Sequence, residues 1–222
     1  MDTQLARATL SIREMILRGR LQPGQRVAEA GIAELLNMSR MPVRQALPVL
    51  AKEGLLVESE TRGYLVRTFT QSEILDAIDL RGVLEGLAAR RIAERGPSPG
   101  FLARMRECLE EGDRIFRRRR LVESDQAAYG QMNGRFHQLI LDEAGSSIFA
   151  GALERNASVP FASAAAIAFD VTDMETMYEA LNFAHRQHHA VCDALEAKQT
   201  TRVEFLMREH VNTVKKSINM VE

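Results

Sequence analysis

The chain has 222 residues, enough for one large domain or two modest ones at roughly 100 to 200 residues each. Its composition, 45% hydrophobic and 27% charged, is that of a globular protein and excludes a disordered, collagen-like or rod-like chain. The net charge of −1 conceals an asymmetry: residues 1–70 hold ten lysines and arginines against seven acids, so the basic excess that suits a polyanion lies at the front.

Aromatic residues are scarce, tryptophan is absent and methionine is plentiful, a balance that suits packed helices better than a β-sandwich. No apolar run approaches the ~18 residues of a membrane span, and Arg7, Arg13, Arg18, Arg20 and Arg26 interrupt the first thirty residues where a signal core would lie. The expectation is a soluble, cytoplasmic protein with no membrane partner. Cys108 and Cys192 have no second cysteine or histidine at zinc-ribbon spacing, and a disulfide framework is not expected.

In chain order, Leu5, Ala8, Ile12, Met15 and Ile16 recur at helical spacing over 4–19, and Gly19 with Pro23-Gly24 stops them. A short helix fits 29–36. Asn37 to Arg40 reads as a turn whose Ser39 caps a third helix by accepting backbone N–H bonds, with Ala46, Leu47 and Leu50 facing inward and Pro48 expected to bend it. Residues 55–58 and 64–67 read as strands joined by a Gly-containing turn. Three helices and a hairpin make the winged helix-turn-helix plan.

Beyond Ser72 only helical stripes appear, at 72–95, 101–120, 124–144, 146–157, 161–169, 173–197 and 200–219. The predicted fold is mainly α: an N-terminal winged helix-turn-helix domain over 1–70, followed by an all-α antiparallel helical bundle over 71–222.

A helix-turn-helix presents its second helix to the major groove, so that helix's first turn must carry phosphate anchors and base-reading donors. Here it carries Ser39, Arg40, Arg44 and Gln45. Arg40 and Arg44 project together and either can fork onto guanine, Gln45 suits adenine, and Ser39 with the free amides suits a phosphate. Arg62 and Gly63 put a cation at the tip of the wing.

The order Leu21-x-Pro23-Gly24-Gln25-Arg26-Val27, Ile32-Ala33, Ser39-Arg40-x-Pro42-Val43-Arg44-x-Ala46-Leu47, Glu53-Gly54-Leu55-Leu56-Val57 and Arg62-Gly63-Tyr64-x-Val66 resembles the GntR family of bacterial transcription regulators. The resemblance runs through nearly all of residues 5–68. It implies DNA contacts at Ser39, Arg40, Arg44, Arg62 and Gly63. Ala30 stands where some members carry an arginine, so that contact is absent here.

All five histidines lie in the second domain. Tyr129, Asn133, Phe136, His137 and Ile140 share one helix face; Leu181, Ala184, His188, Val191 and Leu195 share a second; Val203, Met207, His210 and Val214 share a third. A lone inward histidine is more often a hydrogen-bonded core group, but three on facing helices can satisfy one another by sharing a metal. The same face argument puts His185 and His189 toward the polar side, as neighbours of the site.

Residues 72–222 resemble the FadR-type branch of GntR regulators, with its all-helical, FCD-type effector domain, through Arg81-x-x-Leu84-Glu85-x-x-Ala88-Ala89, Asn133-x-x-Phe136-His137-x-x-Ile140, His188-x-x-Val191 and Met207-x-x-His210. The resemblance implies a divalent metal held by Asn133, His137, His188 and His210, although Gln199 stands where an Asp is common. Neutral imidazoles suit Zn, Ni, Co or Mn. It also implies a small carboxylic-acid effector, for which Arg81 is the candidate grip, unless Arg81 only pairs with Glu85 one turn on.

The run Arg117 to Arg120 reads as cations at a helix C-terminus, and no GxSxG, GxGxxG, phosphate-loop or HExxH motif is present. The expected function is a homodimeric transcriptional regulator, most simply a repressor and not an enzyme, that binds a palindromic operator in double-stranded DNA. The rivals are a metal-dependent, hydrolase-like enzyme built on the three histidines, and a regulator that binds a longer acyl ligand without metal.

Overall fold

The computed structural model describes residues 3–17, 19–61, 63–122, 124–164 and 173–218. The chain divides into two compact units, Met1–Thr70 with Ser158–Pro160, and Gln71–Ala157 with Phe161–Glu222.

The first unit contains α1 (Thr3–Leu17), β1 (Arg26–Val27), α2 (Glu29–Leu35), α3 (Arg40–Lys52), β2 (Leu56–Glu58) and β3 (Tyr64–Val66). Ala8, Ile12 and Met15 of α1 meet Val43, Ala46, Leu47 and Leu50 of α3, and Ile32, Leu56 and Val66 complete the core. Arg13 clamps α1 to the end of α3 through a two-pronged bond to the Glu53 carboxylate at 2.8 Å. β2 and β3 pair antiparallel with Leu56 opposite Val66, and β1, too short to show in the hydropathy pattern, adds to the far edge of β3. Ser59 donates its backbone N–H to the Gly63 carbonyl at 2.8 Å, and Gly63, at φ 92°, takes the left-handed conformation that closes the wing.

One expectation for α3 changes, and its proline is accommodated within the helix. Ser39 stands at the N-cap with extended backbone, but its hydroxyl makes no capping bond. Pro48 lies inside a helix that continues to Lys52. Pro48 and Arg44, whose carbonyl it deprives of an N–H, both lie on the exposed face, where water can replace the bond.

Among the described residues of the second unit the regular elements are all helices: α4 (Gln71–Arg95), α5 (Pro99–Phe116), α6 (Asp125–Ala144), α7 (Ser147–Asn156), α8 (Met174–Glu196), α9 (Thr200–His210) and α10 (Asn212–Ile218). None is long and apolar enough to cross a membrane. Ser98, with Pro99 following, caps α5 by accepting the Phe101 N–H, and Ser146 and Asp173 cap α7 and α8 the same way. Gly145 ends α6 in the left-handed conformation at φ 64°.

α4 is the central helix, packed on α6, α7, α8 and α9, and most extensively on α9. Glycines permit that approach: a Cβ on Gly86 would stand 2.9 Å from the Glu204 carbonyl oxygen, and one on Gly82 2.8 Å from Val211 Cγ2. The close approach brings Glu85 of α4 and His210 of α9 into one interior.

Three boundaries differ from the hydropathy reading. The stripe at 101–120 ends at Phe116, so Arg117 to Arg120 follow the helix, and Arg118 pairs with Asp125 at 2.7 Å. The stripe at 200–219 breaks at Val211 into α9 and α10. Of the helix expected at 161–169, residues 161–164 are turn and bend, and 165–169 lie outside the described residues.

Candidate functional site

In the first unit, Arg40, Arg44 and Gln45 are all exposed on the first turns of α3. Arg44 is engaged: its Nε donates to Glu29 Oε2 of α2 at 2.9 Å. Gly63 is on the wing, and Arg62 lies outside the described residues. Arg26 of β1 reaches Thr61 Oγ1 at 3.5 Å, which puts a further cation beside the hairpin tip. Sequence periodicity missed that placement because β1 is only two residues long.

In the second unit, α6, α8 and α9 bring His137, His188 and His210 together, with one ring nitrogen from each lying within 4.8 Å of the others. All three are at most 2% exposed. His188 Nε2 and His210 Nε2 are 2.9 Å apart. The outer nitrogens of two rings are spoken for, since His137 Nδ1 faces Glu85 Oε2 at 2.9 Å and His210 Nδ1 faces Gln187 Oε1 at 3.1 Å. Each oxygen favours Nδ1–H, which leaves Nε2 as a bare lone pair turned toward the cluster.

Burial, reinforced by His210 and His137 beside it, holds the His188 imidazole well below its ordinary range, and burial with His137 and Arg81 does the same for His210. Burial alone would raise the Glu85 carboxyl, but His137 and Arg81 outweigh it and keep the group below its usual range. The interior therefore combines neutral imidazoles with an ionised carboxylate behind one of them.

Polar atoms without partners mark the spot. His137 Nε2 and Asn133 Oδ1 are buried and lack hydrogen bonds, while Asn133 Nδ2 donates to the Ala164 carbonyl; His188 Nδ1, the ring nitrogen that does not meet His210, is unpaired as well. Buried polar atoms are rarely left so unless something absent from the protein chain satisfies them. Three imidazole nitrogens and an amide oxygen are donors that a borderline divalent ion accepts.

Beside the cluster lies a cavity of about 420 Å³, lined by Arg81, Glu85, His137, Gln138, Ser163 and other residues. Arg81 is 2% exposed. Its Nε stands 3.7 Å from Glu85 Oε2, too long for a hydrogen bond, and its Nη1 makes only a 3.4 Å bond to the Ala162 carbonyl. The two sequence readings of Arg81 thus meet in one place: it pairs loosely with Glu85 and also lines the cavity with donor capacity in hand.

Family models match both parts of the chain, the one described as bacterial regulatory proteins, gntR family over residues 5–66 and the FCD domain over residues 76–213. The chain belongs to the gntR family of bacterial regulatory proteins and carries an FCD domain. It is a DNA-binding transcriptional regulator and not an enzyme.

Its relatives include the uncharacterized HTH-type transcriptional regulator YdhC of Bacillus subtilis, 26% identical over 59% of this chain and 56% of that protein. Another is a probable D-xylose utilization operon transcriptional repressor of Paenarthrobacter nicotinovorans, 28% identical over 88% of this chain and 80% of its own length. Among solved structures, Escherichia coli McbR/YncC superposes with a TM-score of 0.71 at 20% identity over the full length of both chains, a likeness of fold.

Within this gntR-family chain, two features of the site escaped the sequence. Glu85 and Gln187 hold the histidines from behind, and nothing in their own spacing marks them for that work. His185, expected on the polar side of α8, is buried. α8 packs on both α5 and α9, so it buries two faces where a single apolar stripe is visible.

Proposed function

We propose that the chain is a homodimeric repressor whose FCD domain holds a divalent metal and releases DNA when a small organic acid binds beside it. The observation that carries this reading is the trio of buried imidazoles, two with Nδ1 held by an acceptor, opening beside a cavity that contains Arg81. His137, His188, His210 and Asn133 would hold the ion. Bound there, it would supply a positive centre for a carboxylate, because neither the imidazoles nor the Asn133 amide cancels its charge. Arg81 would orient the second carboxylate oxygen.

On the DNA side, Arg40, Arg44 and Gln45 read base edges, Ser39 anchors a phosphate, and Arg62 with Gly63 brings the wing to the backbone or minor groove. Two copies related by a dyad present two such readers to a palindrome. The cytoplasm is where such a protein meets DNA. Repression is favoured by the name given to the Paenarthrobacter relative.

The test combines selection of a binding site from pooled duplexes with a screen of carboxylic acids for release. An acid that releases DNA must bind more weakly, by the same factor, when the selected duplex is present. Arg81→Met should retain metal and DNA binding and lose the response. Unchanged acid affinity with and without duplex refutes the mechanism. Equal metal content in wild type and His137→Ala refutes the metal site.

A further inference from the structure

A second convergence lies one face around α8. Asp113 Oδ1, on α5, stands 2.9 Å from His185 Nε2 and 2.9 Å from His189 Nε2, so one carboxylate oxygen and two imidazole nitrogens meet in a single locus. His185 and His189 are four residues apart and share a face of α8. The locus is open on one side: the His185 side chain is 3% exposed, those of His189 and Asp113 41% and 49%.

The place for His185 is built into α5. A Cβ on Gly112 would fall 2.2 Å from His185 Cε1, so no other residue at 112 admits the ring where it lies. Glycine inside a helix is destabilising relative to alanine, which makes this an unfavourable way to seat an ordinary core side chain. Phe116 stacks on the ring from the next turn, with centroids 5.4 Å apart.

Hydrogen bonding leaves one edge of the ring poorly satisfied, since His185 Nδ1 is buried and makes no well-aligned hydrogen bond, with only the Leu109 carbonyl acting on the ring. If Nε2 carries the proton and donates to Asp113, the Nδ1 lone pair is stranded. If Nδ1 carries it, the Nε2 lone pair faces a carboxylate oxygen. The second state is the one ready for a cation, and the Leu109 carbonyl of α5 favours a proton on the ring. The alternative remedy, a charged imidazolium, would set a cation on a ring that is only 3% exposed, where a buried charge is costly. Donors that share one ion at about 2.1 Å stand about 3 to 3.5 Å apart, so the two His–Asp113 separations lie a few tenths of an ångström from ligation, and all three donor atoms lie within 4.8 Å of one another.

We propose that Asp113, His185 and His189 form a second divalent-metal site, separate from the central histidine trio, that takes a zinc-, nickel- or copper-class ion and bridges α5 to α8. Two nitrogens and one carboxylate oxygen suit these ions better than magnesium or calcium. The half-open face leaves coordination positions to water, so the ion here exchanges faster than one in the buried trio. The two sites share α8, so an ion at this locus braces the helix that presents His188.

The experiment uses untagged full-length protein stripped by a chelator and titrated with Zn²⁺ against a chromogenic competitor. Wild type should bind two equivalents, His189→Ala one, and Asp113→Asn should weaken the second equivalent more than tenfold. His137→Ala should lose the tighter equivalent and keep this one, and added Zn²⁺ should still raise its melting temperature. Asp113 and His189 are half exposed, so their replacement leaves the fold intact and the readout is binding. Stoichiometry and affinities unchanged in both His189→Ala and Asp113→Asn would overturn the site, as would loss of both equivalents in His137→Ala or a single wild-type equivalent that His189→Ala leaves untouched.

Discussion

Replacing Glu85 by Gln tests whether the central histidines are held for a metal or merely packed. Glu85 Oε2 lies 2.9 Å from His137 Nδ1, and both side chains are at most 3% exposed, so no solvent is at hand to replace the bond. If the Gln oxygen faces the ring, the hydrogen bond survives and only the charge behind it is lost. If the Gln nitrogen faces the ring, His137 must carry its proton on Nε2 and the lone pair aimed at the cluster disappears. Loss of an outer partner of a ligating histidine typically weakens metal affinity 10- to 100-fold, about 1.4 to 2.8 kcal/mol, and these two orientations correspond to its lower and upper ends. Competition between stripped protein and a chromogenic chelator for Zn²⁺ measures the change, with melting of the metal-free protein as the control for folding. Affinity within a factor of about two of wild type, in a folded variant, would mean that Glu85 serves Arg81 alone and that His137 is not oriented for ligation.

Arg44→Ala should cost roughly 1–3 kcal/mol of preference between the selected duplex and its point variants, measured by competition; an equal loss on every sequence would assign Arg44 to the phosphate backbone. Because Arg44 is bonded to Glu29 in the free protein, Glu29→Gln should strengthen DNA binding, by less than about fivefold since the pair is exposed, and an unchanged or weaker affinity in a fluorescence titration would show that the pair opens without cost or positions the arginine. Metal-free protein should lose stability as pH falls below about 6.5: the buried His188 and His210 resist protonation while their unfolded counterparts accept it, so the unfolded state binds more protons and is favoured by acid. Melting temperatures flat from neutral pH to well below that value would contradict the burial of neutral imidazoles.

The reader was legible because its residues carry local signals. Pro23-Gly24, the apolar face of α3 and the Gly63 turn each prescribe backbone shape within a few positions, and the structure follows them. The edge strand β1 was not legible, since two residues have no periodicity. Neither was the absence of a cap at Ser39, because residue type permits the bond without enforcing it. In the bundle, helical spacing correctly put His137, His188 and His210 on inward faces, and α6, α8 and α9 gather them. What spacing cannot convey is which inward face meets which. Glu85 behind His137, Gln187 behind His210 and Asp113 between His185 and His189 all depend on helix pairing, and that pairing is set by the missing side chains at Gly82, Gly86 and Gly112 as much as by the residues present.

Arg81, Glu85 and His137 form a chain from the cavity to the histidine cluster, with Glu85 Oε2 as the shared atom, 3.7 Å from one neighbour and 2.9 Å from the other. An anion that draws the Arg81 guanidinium into the cavity takes a competing cation away from Glu85. The carboxylate then acts more fully on His137 Nδ1–H and makes Nε2 the better donor toward the cluster. A cation at the cluster in turn raises the potential in the cavity and favours the anion. Both effects have the same sign, so metal and organic acid should bind cooperatively, and linkage requires the factor to be equal whichever is added first. The low polarity of an interior with three buried imidazoles and a buried ion pair makes the coupling larger than the same charges would show at a surface. Neutralising Glu85 should therefore weaken the metal, strengthen the acid on the metal-free protein because a negative charge leaves the cavity lining and Arg81 is released, and reduce the factor by which each ligand promotes the other, which separates a shared conduit from two independent losses.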